Sequence, residues 1–447
     1  MKKILLVNPS YKGSLHTNIK VLAIPPLNLA TLASQTPERF DVSIIDEAVE
    51  DIDFNQHYDL VGITCMTPLA PRAYELCDEF RKRGIPVVIG GVHVSYMSEE
   101  AARYADCVVI GEADHIWAKV LEDFENGQMQ KFYTVADRPD ITHLPVPRRD
   151  LFNGDYFVET IQTSRGCPFK CSFCSVTAFN GAKYRLRNID NVIDEVNSLK
   201  SKRIFFTDDN IVGSGKKCIE RSYELFDRMK DTGKEWGGQA CINIVEHDNL
   251  LQAAQRGGCK ALLIGFESID AETIALDMNK SVNLRAKTKN FKDAIKKIHD
   301  HGIAMVGCFI FGSDTQNKDI FKRTVDFVLE NQIDAVQFTI ETPLPGTARY
   351  KQIVSEDRLL LTDYPRDWQH YTIFQPVFKP KNMTPEELHE GLIGAYKEVS
   401  SFGTSLTRGI RTFMNTRSLF STGLSFSWNY DAYKTITNTV PGMQANR

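Results

Sequence analysis

The chain has 447 residues and a formal charge of −4, with 42% apolar and 25% charged residues. These proportions exclude a disordered, collagenous or coiled-coil protein, and they give no bulk positive charge for nucleic-acid binding. Ten cysteines over this length are too sparse for a disulfide scaffold, so reduced thiols with metal-binding or catalytic roles are expected.

The N-terminal run Met1-Lys2-Lys3-Ile4-Leu5-Leu6-Val7 is too short for a secretory leader. No uncharged apolar run reaches the ~20 residues that span a bilayer. A cytoplasmic protein without a transmembrane segment is expected. Over residues 1–135, apolar runs at Ile4–Val7, Val42–Ile45, Leu60–Thr64, Pro86–Ile89 and Cys107–Ile110 alternate with helical segments such as Pro71–Arg83 and Ser98–Tyr104. Strands apolar on both faces and separated by helices indicate a doubly wound, flavodoxin-like parallel sheet. Its ligand edge would carry the loops that begin at Asn8, Thr64, Gly90-Gly91 and Gly111-Glu112.

A polar stretch over 136–155, with Pro145-Val146-Pro147, reads as a linker. From residue 156 to 350 the alternation has a longer period. Candidate strands are Phe157–Thr163, Arg203–Thr207, Trp236–Ile242, Ala261–Phe266, Ile303–Phe311 and Ala335–Ile340, with helices such as Ile189–Lys200, Lys216–Thr232, Leu284–His301 and Asp319–Asn331 between them. Six β/α repeats suggest a partial TIM-type barrel, whose chemistry sits at the C-terminal strand ends. After residue 350 an α-rich extension follows, with a helix capped at Thr384-Pro385-Glu386-Glu387. Its arginines and aromatics, among them Arg408, Arg411, Phe413 and Trp428, allow a cover for the barrel mouth, a peripheral membrane contact or a packed helical cap; the cap is favoured because no clean amphipathic period emerges. Trp368, His370 and Tyr371 are candidates to reach a substrate.

The sharpest motif is Cys167-Pro168-Phe169-Lys170-Cys171-Ser172-Phe173-Cys174, directly after the first barrel strand. Thiolates are soft ligands suited to iron–sulfur clusters, and three of them leave one iron of a four-iron cluster open. A zinc knuckle is the alternative, but no fourth ligand follows at a recurrent spacing. Gln239 and Cys241 read as barrel packing. The other cysteines read as buried thiols, with Cys65 and Cys308 near strand ends.

With its aromatic at Phe173 and the barrel around it, this segment resembles the radical S-adenosylmethionine (SAM) superfamily, in the subgroup with an N-terminal cobalamin-binding domain that includes hopanoid-modifying methylases. The resemblance implies that Cys167, Cys171 and Cys174 hold a 4Fe-4S cluster whose open iron takes SAM. It implies SAM contacts from Phe173, Asp208, Asp209, Asn210, Glu267, Ser268, Phe309 and Gly312. It implies a cobalamin across Asn8, Thr64, Gly90, Gly91, Gly111 and Glu112. The D-x-H-x-x-G pattern of a lower histidine ligand is absent, and His16 lacks that context. The G-x-G-x-x-G fingerprint of a dinucleotide site is also absent after the first strand.

The implied activity is cleavage of SAM to a 5′-deoxyadenosyl radical that takes hydrogen from an unactivated carbon, leading to cobalamin-dependent C-methylation. Cobalamin-independent rearrangement, cyclisation or carbon–carbon coupling is the alternative, and a non-catalytic cobalamin or redox sensor is the reading from another class. The implied partners are a small-molecule or lipid-like substrate and a reducing donor such as flavodoxin or ferredoxin, with no nucleic acid. The division expected is a cobalamin-binding domain over 1–135, a linker over 136–155, a radical SAM barrel over 156–350 and a substrate-side extension over 351–447. No individual catalytic side chain is assigned.

Overall fold

The computed structural model describes residues 1–11, 24–135, 137–154, 156–285 and 291–439; His16 lies outside them. The first sheet contains β1 (Lys2–Asn8), β2 (Phe40–Asp46), β3 (Leu60–Thr64), β4 (Val87–Gly90), β5 (Cys107–Ile110) and β6 (Phe132–Thr134). All six are parallel, in the order β2-β1-β3-β4-β5-β6. The chain reverses its direction of travel across the sheet between β1 and β3. That switch point opens a crevice at the carboxyl edge. Both faces are covered, so Ile4, Leu5, Leu6 and Val7 are all buried. The sequence pattern does not announce β6, a three-residue edge strand.

The second sheet holds β7 (Glu159–Ile161), β8 (Arg203–Phe206), β9 (Glu235–Ala240), β10 (Cys259–Glu267), β11 (Ala304–Phe311) and β12 (Ala335–Ile340). Each is parallel to the next, and the sheet stays open between β7 and β12. This is the partial (β/α)6 barrel. Its outer faces pack on helices through residues such as Phe266, Phe309 and Phe338. Its inner face carries Gln239, Cys308, Gln337 and other side chains that are less buried.

The stretch read as a linker is pinned to both domains. Arg149 binds the Thr160 carbonyl at 2.6 Å and pairs with Glu195, while Arg148 N–H donates to the Ala30 carbonyl at 3.0 Å. Tyr156 donates to Asp46 of β2 at 2.8 Å.

The extension does two different things. Trp368 and Tyr371 are buried in the core of the first domain, with Trp368 Nε1 donating to Glu100 at 3.1 Å. They therefore staple the extension to that domain and do not reach a substrate; His370 is hydrogen-bonded to Gln375 at 2.9 Å. Thr384 caps the Pro385–Ser400 helix in a full capping box with Glu387. The Phe402–Thr416 and Leu419–Thr439 helices pack near the N-terminal ends of barrel strands: Ser421 Oγ donates to the Lys260 carbonyl at 3.1 Å, and Arg408 binds the Ile333 carbonyl at 2.6 Å. This half of the extension is a helical cap at the end opposite the cysteine loop. The expected substrate-side position is therefore corrected for residues 402–439. The physical cause is the buried Arg408, which needs the backbone carbonyls that strand beginnings leave free.

Candidate functional site at the junction of sheet and barrel

The cysteine loop leaves the barrel through a two-stranded ladder, Ser164–Arg165 with Arg185–Leu186. Gly166 makes the turn at φ +88°, where a Cβ would lie 2.5 Å from the Lys183 carbonyl oxygen, so only glycine fits. Cys167 N–H donates to the Gly181 carbonyl at 3.2 Å, and Thr177 Oγ1 donates to the Phe169 carbonyl at 2.8 Å. Ser172 N–H donates to the Met278 carbonyl at 3.0 Å, and its own carbonyl accepts from Arg349 N–H at 3.0 Å. The loop is thus held from three sides, with its thiols facing one space.

The three thiols are partly exposed and none is in a disulfide. Backbone N–H groups of Phe169, Val176 and Thr177 point at the sulfurs of Cys167 and Cys174. Burial pushes the thiols of Cys167 and Cys171 up to about 12, so their thiolate forms call for a compensating cation. Iron supplies it, and the N–H donors favour charge on sulfur. Three thiolates on one loop fit a four-iron cluster with one iron left open.

The residues expected to contact SAM separate into two groups. Asp209 and Glu267 lie in the electrostatic neighbourhood of the cysteines. Burial, with Asp208 adding to it, raises the Asp209 carboxyl to about 6. Glu267 stands at φ +64° in a β-bulge opposite Phe309 and pairs with the buried Lys280, whose Nζ also donates to the Gly265 carbonyl at 2.8 Å. Positive φ is uncommon for a non-glycine residue and marks Glu267 as a candidate for function. Phe173 is half-buried on the loop itself.

The others make contacts within the fold. Asp208 is buried, taking Thr163 N–H at 3.0 Å, Thr163 Oγ1 at 2.7 Å and Ser164 Oγ. It latches the end of β7. Asn210 Oδ1 accepts from the backbone N–H groups of Val212 and Cys241. Ser268 Oγ accepts from Asp270 N–H at 3.1 Å, and Gly312 N–H donates to Gln316 at 2.9 Å. Phe309 points out into the helix layer, stacked on Phe266 at 5.3 Å. Its neighbour Cys308 faces the lumen beside Gln337, with 3.6 Å between Sγ and Oε1.

Cys241, read as packing, lies against Cys167 and Cys171 with Phe169 and Val282. Lys280 had no signal in the sequence; only the fold brings it to the cluster loop. Cys65 is buried away from these groups, its carbonyl accepting from His93 N–H.

The carboxyl edge of the first sheet borders a cavity of about 410 Å³. Thr64, Gly90, Gly91, Gly111 and Glu112 line it, and so do Gln162, Arg165, Asn180 and Thr207 of the barrel. Asn8 does not; its amide is bound to Asp46 at 2.9 Å. Gly62, Gly91 and Gly111 let the strands and loops of this edge close on one another: a Cβ would meet Leu6 Cδ2 at 2.9 Å, the Cys65 carbonyl oxygen at 2.7 Å and Val135 Cβ at 3.4 Å, respectively. Apolar walls from Leu6, Ile63 and Val109 would take the apolar part of a cobalamin or its tail. Glu112 is spoken for by guanidinium groups: Arg165 Nη1 lies 2.9 Å from Oε2, and Arg185 holds both oxygens. Arg165 also binds Asp114 at 2.6 Å. Burial alone would raise the Asp114 carboxyl, but Arg165 outweighs it and holds it below the usual range. This clasp ties the sheet edge to the residue that precedes the cysteine loop.

A crevice at the switch point of a parallel sheet, walled on one side by a partial barrel that carries a three-cysteine loop, is the architecture of a cobalamin-type radical SAM protein. The B12 binding domain family matches residues 21–121 and the Radical SAM superfamily matches residues 161–328. The chain is 32% identical over 413 residues to the bacteriochlorophyllide d C-12(1)-methyltransferase of Chlorobaculum tepidum, covering 89% of this chain and 87% of that one. It is 33% identical over 413 residues to the C-8(2)-methyltransferase of the same organism, covering 88% of each. The solved structure of the radical SAM methyltransferase TsrM from Kitasatospora setae, with cobalamin and a 4Fe-4S cluster bound, has the same fold at a TM-score of 0.67, 17% identity and 88% coverage of each chain. The chain belongs to the radical SAM superfamily, in the group with an N-terminal B12-binding domain. It is an enzyme whose cofactors are a 4Fe-4S cluster, SAM and cobalamin.

Proposed function

We propose that this enzyme methylates an unactivated carbon on a side chain of a tetrapyrrole-like small molecule. One observation carries the reading: the cavity at the first sheet's edge is walled on its far side by Gln162, Arg165 and Thr207 of the barrel, so a cobalamin held there would adjoin the barrel that carries the cysteine loop. The two bacteriochlorophyllide methyltransferases support the substrate class. One-electron cleavage of SAM and a transferable methyl group are the chemistry that the bound cofactors supply.

The protein's part is positioning. Cys167, Cys171 and Cys174 would hold the cluster, with Asp209 and Glu267 beside it as partners for a cationic amine or ribose hydroxyls. Gln239, Cys308 and Gln337 would line the lumen in which the acceptor carbon lies. The Arg165 clasp keeps the two cofactor sites in register. All ten cysteines are free, in keeping with a reducing setting, and the electron for SAM cleavage would come from a flavodoxin- or ferredoxin-type donor. Among the described residues no helix is long and apolar enough to cross a membrane.

The test is anaerobic reconstitution with cobalamin, SAM carrying a deuterated methyl group and a bacteriochlorophyllide acceptor. Labelled methyl should enter the acceptor with one 5′-deoxyadenosine formed per transfer. Cys171→Ala should abolish both. Formation of 5′-deoxyadenosine without label in the product would contradict methylation, and its formation by Cys171→Ala would contradict the cluster assignment.

A further inference from the structure

The Phe402–Thr416 helix is inside out. Its buried residues are Ser405, Arg408, Gly409 and Thr412. Arg408 binds the Ile333 and Val399 carbonyls and Asn429 Oδ1 at 2.6, 2.9 and 3.0 Å, and Thr412 donates to Asp334 at 2.7 Å. The opposite face carries Phe402, Leu406, Ile410 and Met414, with 57%, 48%, 56% and 61% of their surface exposed. Successive members are four residues apart, so they form one continuous stripe. An ordinary surface helix has the reverse polarity. A row of large apolar side chains left to water in this way marks an interaction surface.

Charge selects the occupant. Arg411 and Arg417 are exposed beside the stripe. No Asp or Glu occurs from residue 402 to 430, and the nearby Glu398 and Asp300 are paired with Lys322 and Lys296. A second copy bound about a twofold axis through this stripe would bring like arginines together. Phosphate headgroups would neutralise them while the acyl boundary took the apolar row.

We propose that the outward face of this helix docks on an anionic phospholipid surface. The side chains of Phe402, Leu406, Ile410 and Met414 enter the interface, and Arg411 and Arg417 reach phosphates. The helix lies at the strand-beginning end of the barrel, so docking leaves the cysteine loop and the cavity clear.

The experiment is co-sedimentation of the full chain with vesicles of mixed phosphatidylglycerol and phosphatidylcholine, and with phosphatidylcholine alone. The protein should pellet with the anionic vesicles and remain largely in solution with the neutral ones. Ile410→Ser with Met414→Ser should weaken binding by about tenfold or more, and Arg411→Glu or Arg417→Glu by about fivefold or more each. These side chains are exposed, so circular dichroism and 5′-deoxyadenosine formation should be unchanged. Absence of anionic binding, equal binding to neutral vesicles, or variants that bind like the parent would each overturn the proposal. So would a dimer in size-exclusion chromatography that the Ile410→Ser, Met414→Ser variant dissociates.

Discussion

Gly91 stands where β4 meets the following helix, at φ +110°, and a Cβ there would lie 2.7 Å from the Cys65 carbonyl oxygen and 2.8 Å from its nitrogen. Both the backbone angle and the close approach exclude other residues. Gly91→Ala should therefore push the β3 and β4 loops apart where they line the cavity. The expected result is a lower melting temperature together with loss of cobalamin retention on gel filtration, while iron content stays near the parent's. Unchanged cobalamin retention would separate this glycine from the cofactor.

The same scale shows where sequence reasoning reached its limit. The C-x3-C-x2-C spacing singles out Cys167, Cys171 and Cys174 in the sequence, and the structure places them on one loop after the first barrel strand. Asp208 and Asp209 were not separable: adjacent acids on a strand end point opposite ways, and only the fold shows that Asp208 is consumed by Thr163 and Ser164. Phe309 and Cys308 posed the same problem. Strand β11 is largely buried on both faces, so period-two patterning cannot say which residue faces the lumen.

At the scale of elements, one carboxylate joins three segments. Asp314 follows β11 and accepts from Arg349 at 2.8 and 2.9 Å and from Arg358 at 2.6 Å. Arg349 in turn donates its backbone N–H to Ser172 of the cysteine loop. Burial would raise the Asp314 carboxyl, but the two guanidinium groups outweigh it and hold it well below the usual range. A carboxyl depressed in the folded state stabilises the fold above its unfolded value of about 3.9, and that contribution is lost as pH falls towards the folded value. Asp314→Asn should cost about 3 kcal/mol at pH 7, the order expected when one partner of a buried ion pair is removed. The gap between variant and parent in urea denaturation should narrow steadily below about pH 4; a gap that does not change between pH 7 and pH 3 would contradict the ion-pair account.

Element order was well legible. The five apolar runs of the first domain and the six of the barrel all became strands, because parallel strands buried on both faces stand out as apolar blocks. Edge strand β6 and the bulge at Gly265–Glu267 were not legible, since both depend on neighbours distant in sequence. The 402–416 helix also escaped the pattern, because its apolar stripe faces outwards and its core face is made of Ser, Arg, Gly and Thr.

At the scale of the molecule, sheet and barrel meet through Arg165, which holds Glu112 and Asp114 of the first domain and sits two residues before Cys167. The extension strengthens the join from the other side, with Trp368 buried against the first domain, and Arg349 just before it holds the cysteine loop. Cobalamin and cluster would occupy adjoining sites across this junction. Electron paramagnetic resonance of the reduced protein loaded with both cofactors tests it most directly. The account predicts a cobalamin signal broadened by the neighbouring paramagnetic cluster, and return of the isolated signal in Cys171→Ala, which retains cobalamin but not the cluster. A doubly loaded protein whose spectrum is the plain sum of two isolated centres would contradict it.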